Sequence, residues 1–226
     1  VSLPQAIVTD IEGTTTSLSF VSDTLFPYAR RHLADFVTQH QAEPRVAAEI
    51  TATCQVMGKP DASLREVVDC LIDWIDRDQK ITPLKALQGM IWEIGYQSGE
   101  LRGHVYDDVP ETLTLWQKRG ICLAVYSSGS IAAQKLLFSH TVYGDITPRF
   151  SAYFDTTIGG KRENASYERI AHALNMSTQQ MLFLSDIQEE LDAAASSGMR
   201  TYGLERGTCG CLVNHPTARS FHDIAF

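Results

Sequence analysis

Two carboxylates stand two positions apart in the run Ala6-Ile7-Val8-Thr9-Asp10-Ile11-Glu12-Gly13-Thr14-Thr15-Thr16. Acids this close repel one another and lose hydration unless a proton or a cation intervenes, and an all-oxygen donor set favours Mg²⁺. The short apolar, β-branched segment before Asp10 predicts a buried strand, and Gly13 predicts the turn that ends it. Asp10 is therefore expected at the carboxyl end of a strand, with Glu12 just beyond it. That edge of an open α/β sheet is where ligands bind. A solvated turn is the alternative use of the same residues.

Three later segments weigh against the solvated turn. Ser127-Ser128-Gly129-Ser130 follows the apolar run Ile121 to Tyr126 and opens a helix. Its hydroxyls and free N–H groups suit an anion, and Ser130 alone suits a helix cap. Gly159-Gly160-Lys161 follows a short predicted strand, Tyr153 to Asp155. Glycines let a loop approach a ligand, and Lys161 can neutralise a phosphate or else sit in solvent. Ser185-Asp186 follows the strand Met181 to Leu184. Asp186 is either a second metal-binding carboxylate opposite Asp10 or an N-cap, with Glu189 and Glu190 as a solvated first turn. Each segment closes a predicted strand of one parallel sheet. All four open on the same edge, the convergence that phosphoryl transfer requires.

The elements that must position these residues follow from periodicity. From Val109 onward, helices and strands alternate, which implies a parallel sheet in an α/β core. The last predicted strand is Thr201 to Leu204. Beyond Glu205 the chain is expected to be irregular and without chemistry. Between Thr16 and about residue 102 the pattern is helical throughout. Leu25, Tyr28, Ala29, Leu33, Phe36 and Val37 share one helical face, and Pro44 starts a second helix. Ser63 and Glu66 predict a capping box for a third helix, and Thr82-Pro83 a cap for a fourth. Four amphipathic helices in succession predict a small bundle rather than a further layer of the sheet.

The chain has 226 residues, 44% hydrophobic and 20% charged, and a net charge of −8. That charge argues against a nucleic-acid partner, which needs a basic footprint. No apolar run approaches membrane-spanning length, and no basic stretch precedes an apolar one at the N-terminus, so neither a membrane partner nor a signal peptide is expected. The five cysteines, Cys54, Cys70, Cys122, Cys209 and Cys211, are irregularly spaced. Reduced thiols in a cytoplasmic setting are expected. Cys209-Gly-Cys211 with His215 lacks a fourth ligand at a zinc-site spacing, so no zinc site is expected there.

Asp10-Ile11-Glu12-Gly13-Thr14 resembles the Asp-x-Asp-x-Thr motif of the haloacid dehalogenase superfamily of aspartate-nucleophile phosphatases, with Glu12 in place of the second Asp. The fuller string Ile7 to Thr16 is similar to one branch, the enolase-phosphatases of the methionine salvage pathway. So are Phe26-Pro27-Tyr28-Ala29, Val125 to Ser130, Lys161 with Ser166-Tyr167, and Phe183 to Asp186. The resemblance runs from about Ala6 to about Gly203.

The resemblance implies a Rossmann-like parallel-sheet core, residues 1–18 and 103–226, with an inserted all-helical cap, residues 19–102. It implies enolisation of 2,3-diketo-5-methylthiopentyl-1-phosphate, followed by removal of the phosphate to leave the acireductone 1,2-dihydroxy-3-keto-5-methylthiopentene. One Mg²⁺ per chain is implied, held by Asp10, Asp186 and the backbone carbonyl of Glu12. Asp10 would be the nucleophile and Glu12 the general acid and base, with Ser127, Ser128 and Lys161 binding the phosphoryl oxygens. The base for enolisation is left open between Glu12 and a residue of the cap. The expected partner is a small phosphate ester, and the expected state a monomer. Two alternatives remain at this level: a phosphatase of the same superfamily with another small phosphate monoester, and a non-enzymatic phospho-acceptor domain.

Overall fold

In the computed structural model, β1 (Ala6–Thr9) runs through the middle of a six-stranded parallel sheet, every residue of it buried. The structure describes residues 3–207 and 212–226. The other strands are β2 (Cys122–Tyr126), β3 (Ala152–Phe154), β4 (Met181–Ser185), β5 (Arg200–Leu204) and β6 (Thr217–Ala218), in the order β3-β2-β1-β4-β5-β6. The chain steps outward from β1 to β2 and β3, then restarts on the other side of β1 with β4. The order therefore reverses between β1 and β4, the crevice where ligands bind in such sheets. Thr9 pairs with Val125 on one side and Leu184 on the other. Asp10, Ser127 and Asp186 thus leave three adjacent strands at one edge, about 5 Å apart strand to strand.

Among the described residues, the α-helices that accompany the sheet are α6 (Asp108–Lys118), α7 (Ile131–Ser139), α8 (Asn164–Ala173) and α9 (Gln188–Ser196). Val8, Ala124, Tyr126 and Phe183 of the sheet form one buried cluster with Tyr167 and Ile170 of α8 and Leu191 and Ala194 of α9. Each large side chain so buried contributes about 1.5–3 kcal/mol. The C-terminal segment departs from expectation. It adds β6 to the sheet and a 3₁₀ turn, Phe221–Asp223, whose Phe221 ring lies 5.2 Å from that of Trp116 on α6. Cys209 and Cys211 lie outside the described residues. His215 is bonded to Thr201 Oγ1 at 2.7 Å and Asp192 Oδ1 at 2.9 Å.

The chain forms two compact units, Val1–Leu18 with Arg102–Phe226 and Ser19–Leu101. The second is all-helical. After α1 (Leu18–Phe20) come a π-helical turn, Val21–Leu25, then α2 (Phe26–His40), α3 (Pro44–Met57), α4 (Leu64–Asp76) and α5 (Thr82–Ser98). The buried face of α2 is Tyr28, Ala29, Leu33, Phe36 and Val37, as its periodicity requires. Ser63 and Glu66 form the capping box on α4. At α5 the cap position falls to Ile81 with no side-chain bond, so Thr82 starts the helix rather than capping it. The π turn was not legible in the sequence. The Leu25 carbonyl at its end accepts the Trp92 indole N–H at 2.9 Å, so this backbone group is satisfied by a side chain of α5.

Candidate active site

The β1–β4 ladder continues one residue past Thr9, because Asp10 N donates to Leu184 O at 2.9 Å. The Asp10 side chain leaves the sheet from that fixed point, and the residue is 2% exposed. The next residues fold into a tight loop. Thr14, Thr15 and Thr16 all turn their N–H groups to the Ile11 carbonyl, and Gly13 N donates to Thr16 O at 2.7 Å. Gly13 has φ of 80°, a conformation that L residues reach only with strain. It is also closely packed: a Cβ there would lie 2.0 Å from Asp186 Oδ2. The loop that carries Glu12 and the carboxylate that ends β4 thus meet at the one residue without a side chain. Glu12 itself is half-buried.

Lys161 enters from the loop after β3. Its Nζ lies 2.6 Å from Asp10 Oδ1 and 2.6 Å from Glu190 Oε2, with all three side chains nearly excluded from water. The solvated alternative for Lys161 is therefore not what the fold builds. Burial works against the ammonium, but Asp10 and Glu190 outweigh it and hold its pKa above the ordinary lysine value. Glu190 was expected in a solvated helix turn. Instead it points inward on α9, on the same face as Leu191 and Ala194, and Ser185 Oγ donates to it at 2.8 Å. Glu189 alone is exposed. Burial, and then the Asp10 charge, raise the Glu190 pKa.

Asp186 does not cap α9, since that position is held by Ile187. Its Oδ1 is buried without a hydrogen-bond partner. Burial first, then Asp10, push its pKa up to about 7. Among the described residues, three carboxylates, Asp10, Asp186 and Glu190, are set against one ammonium, Lys161, so the site carries an excess of acidic charge. A divalent cation beside Asp10 and Asp186 would balance that charge and take the orphaned oxygen. The donors are hard oxygens of the kind Mg²⁺ takes with one or two carboxylates, completing its shell from carbonyl, water and substrate. Among the described residues no three His, Cys, Asp or Glu side chains are grouped to hold a metal by themselves. The carboxylates of Asp10 and Asp186, one of them with an orphaned buried oxygen, fit a two-carboxylate site for Mg²⁺.

Ser127 and Ser128 stand at the end of β2. Ser127 is 1% exposed, and its Oγ accepts from Gly129 N at 3.1 Å. Ser128 is exposed. Ser130 caps α7 by accepting from Ala133 N at 3.2 Å, so the capping use of this segment is realised. Gln134 Nε2 holds the loop by donating to Gly129 O at 2.8 Å and Phe154 O at 2.9 Å.

Arg206 was missed, because the chain past Glu205 carries no pattern. Its Nε donates to Thr14 O at 2.9 Å, and its Nη1 lies 2.7 and 2.8 Å from the two Asp108 oxygens. The guanidinium lies over the rings of Tyr106 and Phe221, at 4.3 and 5.0 Å. It ties the loop after Asp10 to α6 and to the C-terminal segment. Glu190 did carry a readable signal, its place in the inward α9 stripe. Arg206 carried none.

With this geometry established, comparison with known proteins is specific. A model of haloacid dehalogenase-like hydrolases matches residues 4–198. The Enolase-phosphatase E1 of Pseudomonas aeruginosa strain UCBPP-PA14 is 56% identical over 220 residues, 97% of each chain. The chain belongs to the enolase-phosphatase family of haloacid dehalogenase-like hydrolases. The family's Thioalkalivibrio sulfidiphilus member is 53% identical, covering 97% of this chain and 98% of that one. Among solved structures, the Unknown transcript 4 protein of Saccharomyces cerevisiae superposes with a TM-score of 0.83 at 30% identity, over 98% of this chain and 100% of that chain. The L-2-haloacid dehalogenase of Xanthobacter autotrophicus shares the fold at a TM-score of 0.59 and 15% identity, over 98% and 96% of the two chains.

Proposed function

We propose that this enzyme converts 2,3-diketo-5-methylthiopentyl-1-phosphate into the acireductone 1,2-dihydroxy-3-keto-5-methylthiopentene and phosphate, by enolisation and then hydrolysis through an aspartyl-phosphate. The observation that carries the chemistry is the buried Asp10 carboxylate with Lys161 Nζ at 2.6 Å and the unpartnered Asp186 oxygen beside it. The substrate rests on near-full-length identity to enolase-phosphatases. The helical unit takes the role of the cap that the resemblance implies.

In this mechanism an Asp10 oxygen attacks phosphorus in line, the P–O bond to the enol breaks, and the phosphoryl group rests on Asp10. Lys161 neutralises the phosphoryl oxygens, and the Ser127 hydroxyl and the Ser127–Ser130 loop hold them in place. The Glu12 carboxyl gives its proton to the departing enol oxygen. As carboxylate it then takes a proton from water, which attacks phosphorus and frees Asp10 and phosphate. Mg²⁺ bound by Asp10, Asp186 and the Glu12 carbonyl would supply charge neutralisation between nucleophile and phosphate, which otherwise repel. Glu190 keeps the Lys161 ammonium charged and directed at Asp10.

A cytoplasmic monomer is part of the same proposal. The free thiols Cys54, Cys70 and Cys122 support a reducing setting. The test is turnover of the diketo phosphate followed by phosphate release and acireductone formation together. Both should vanish on chelation and return with Mg²⁺. Full activity after exhaustive chelation would remove the metal from the mechanism. Equal turnover of unrelated phosphate monoesters would favour a less specific phosphatase.

A further inference from the structure

Four successive carbonyls in the loop between β3 and α8 are each taken by a side chain. Ile158 O accepts from Arg169 Nη1 at 2.8 Å, and Gly159 O from the Tyr126 hydroxyl at 2.8 Å. Gly160 O accepts from Ser166 Oγ at 2.8 Å, and Lys161 O from the Tyr167 hydroxyl at 2.6 Å. Three of these donors come from the first turns of α8, and the fourth is the last residue of β2. Loop carbonyls ordinarily face water, so a run of four held by protein side chains marks a backbone under unusual constraint.

The donors are themselves fixed. Tyr126, Ser166 and Tyr167 are all 0% exposed. The Tyr126 and Tyr167 rings meet edge to face with centroids 5.7 Å apart, and Tyr167 meets Phe183 of β4 in the same way at 5.0 Å. Neither ring can shift without disturbing the core. The loop lies so close to α8 that a Cβ on Gly159, whose φ is 140°, would stand 2.2 Å from Ser166 Oγ. Lys161 leaves this pinned backbone and places its ammonium 2.6 Å from Asp10, with the Tyr126 ring 5.9 Å beneath it.

We propose that Tyr167, with Tyr126 and Ser166, is a positioning residue for Lys161: the hydroxyls lock the backbone at 159–161 so that the ammonium meets the transferring phosphoryl group in a set place. The proposal rests on the reading of Lys161 as the phosphoryl-binding cation. Tyr126 also directly precedes Ser127, so one side chain ties the lysine loop to the serine loop. A long flexible side chain serves as an electrostatic stabiliser only when the position of its charge is set before the reaction. Here the hydrophobic core sets it, through three hydroxyls.

The test is a double-mutant cycle on kcat/KM, with Tyr167→Phe measured in the wild-type chain and in Lys161→Ala. Phenylalanine keeps the ring and its packing and removes the hydroxyl alone. A misplacement of a fraction of an ångström predicts a loss of about tenfold in the wild type, since a full 1 Å shift costs on the order of 10²-fold. In Lys161→Ala the same change should cost less than about twofold, because the group it positions is gone. Competitive inhibition by inorganic phosphate should weaken with Tyr167→Phe in the wild type and not in Lys161→Ala. If Tyr167→Phe does not fold, the Ser166→Ala cycle carries the same expectation. Equal losses in both backgrounds would overturn the proposal, as would wild-type kcat/KM for both Tyr167→Phe and Ser166→Ala. Wild-type activity of Lys161→Ala would instead overturn the reading of Lys161 itself, a separate and visible failure.

Discussion

Gly13→Ala should damage catalysis far more than folding. The added Cβ would stand 2.0 Å from Asp186 Oδ2, 2.4 Å from its Cγ and 2.9 Å from Oδ1. Ordinary non-bonded contact between such atoms is about 3.5 Å. The Asp186 carboxylate must therefore retreat by about 1 Å or more, or the loop carrying Glu12 must lift by as much. A shift of that size at a reacting centre costs on the order of 10²-fold, so kcat/KM should fall by about that factor. The backbone adds its own cost, because an L residue at φ of 80° is strained by about 1–2 kcal/mol. In a chain of this size each kcal/mol lowers Tm by about 2–4 °C, which gives a drop of about 2–8 °C. The assay is steady-state kinetics across a Mg²⁺ titration, with a thermal melt beside it. The variant should melt within that window, lose about two orders of magnitude in kcat/KM, and need more Mg²⁺ for half-maximal rate. Unchanged Mg²⁺ dependence with kcat/KM within about twofold of wild type would show that the contact between Gly13 and Asp186 does not set the site.

Three further expectations follow from named contacts. Glu12→Gln should form the phospho-enzyme and release enol product in a burst, then free phosphate about 10²–10⁴-fold more slowly, because water still needs a base; rapid quench showing both products at one reduced rate would contradict this. Arg206→Met leaves Asp108 as a buried carboxylate that keeps the Phe221 N–H but loses its cation. Loss of one partner of such a pair typically costs about 3–5 kcal/mol, and a urea-denaturation difference under about 1 kcal/mol would show the pair to be dispensable. His104 Nδ1 accepts the Ser17 N–H at 3.1 Å, and burial lowers its pKa. The folded state favours neutral His104, so this stabilisation is present above the unfolded value of about 6.5 and is lost as pH falls through the lower folded value; an NMR titration midpoint above about 6.5 would contradict the contact.

The strand-end acids were legible because a buried apolar run abutting a carboxylate has few other uses. Ala6 to Val8 had to lie in the sheet, and Asp10 followed as its exit. Asp186 was legible for the same reason behind Met181 to Leu184. Glu190 was obscured by Glu189. Two acids at a helix start read as a solvated turn, and only the side that Leu191 and Ala194 take separates the buried one from the exposed one. Arg206 acts through Thr14 and Asp108, partners that are distant in sequence, so no local pattern could announce it. Strand β6 is two residues long and borrows its stability from β5, below the length at which alternation carries information. The π turn depends on the Trp92 indole reaching the Leu25 carbonyl, a tertiary contact that propensity does not encode.

The central claim is that Asp10 attacks phosphorus and carries the phosphoryl group before water does. The stereochemical course at phosphorus tests it most directly. A substrate whose phosphoryl group is made chiral with oxygen isotopes and sulfur undergoes two in-line displacements if Asp10 is the nucleophile, and one if water attacks directly. Two displacements release phosphate with net retention of configuration, the expected result. Net inversion would contradict it, and would leave Asp10 to bind metal and Lys161 while water performs the only displacement.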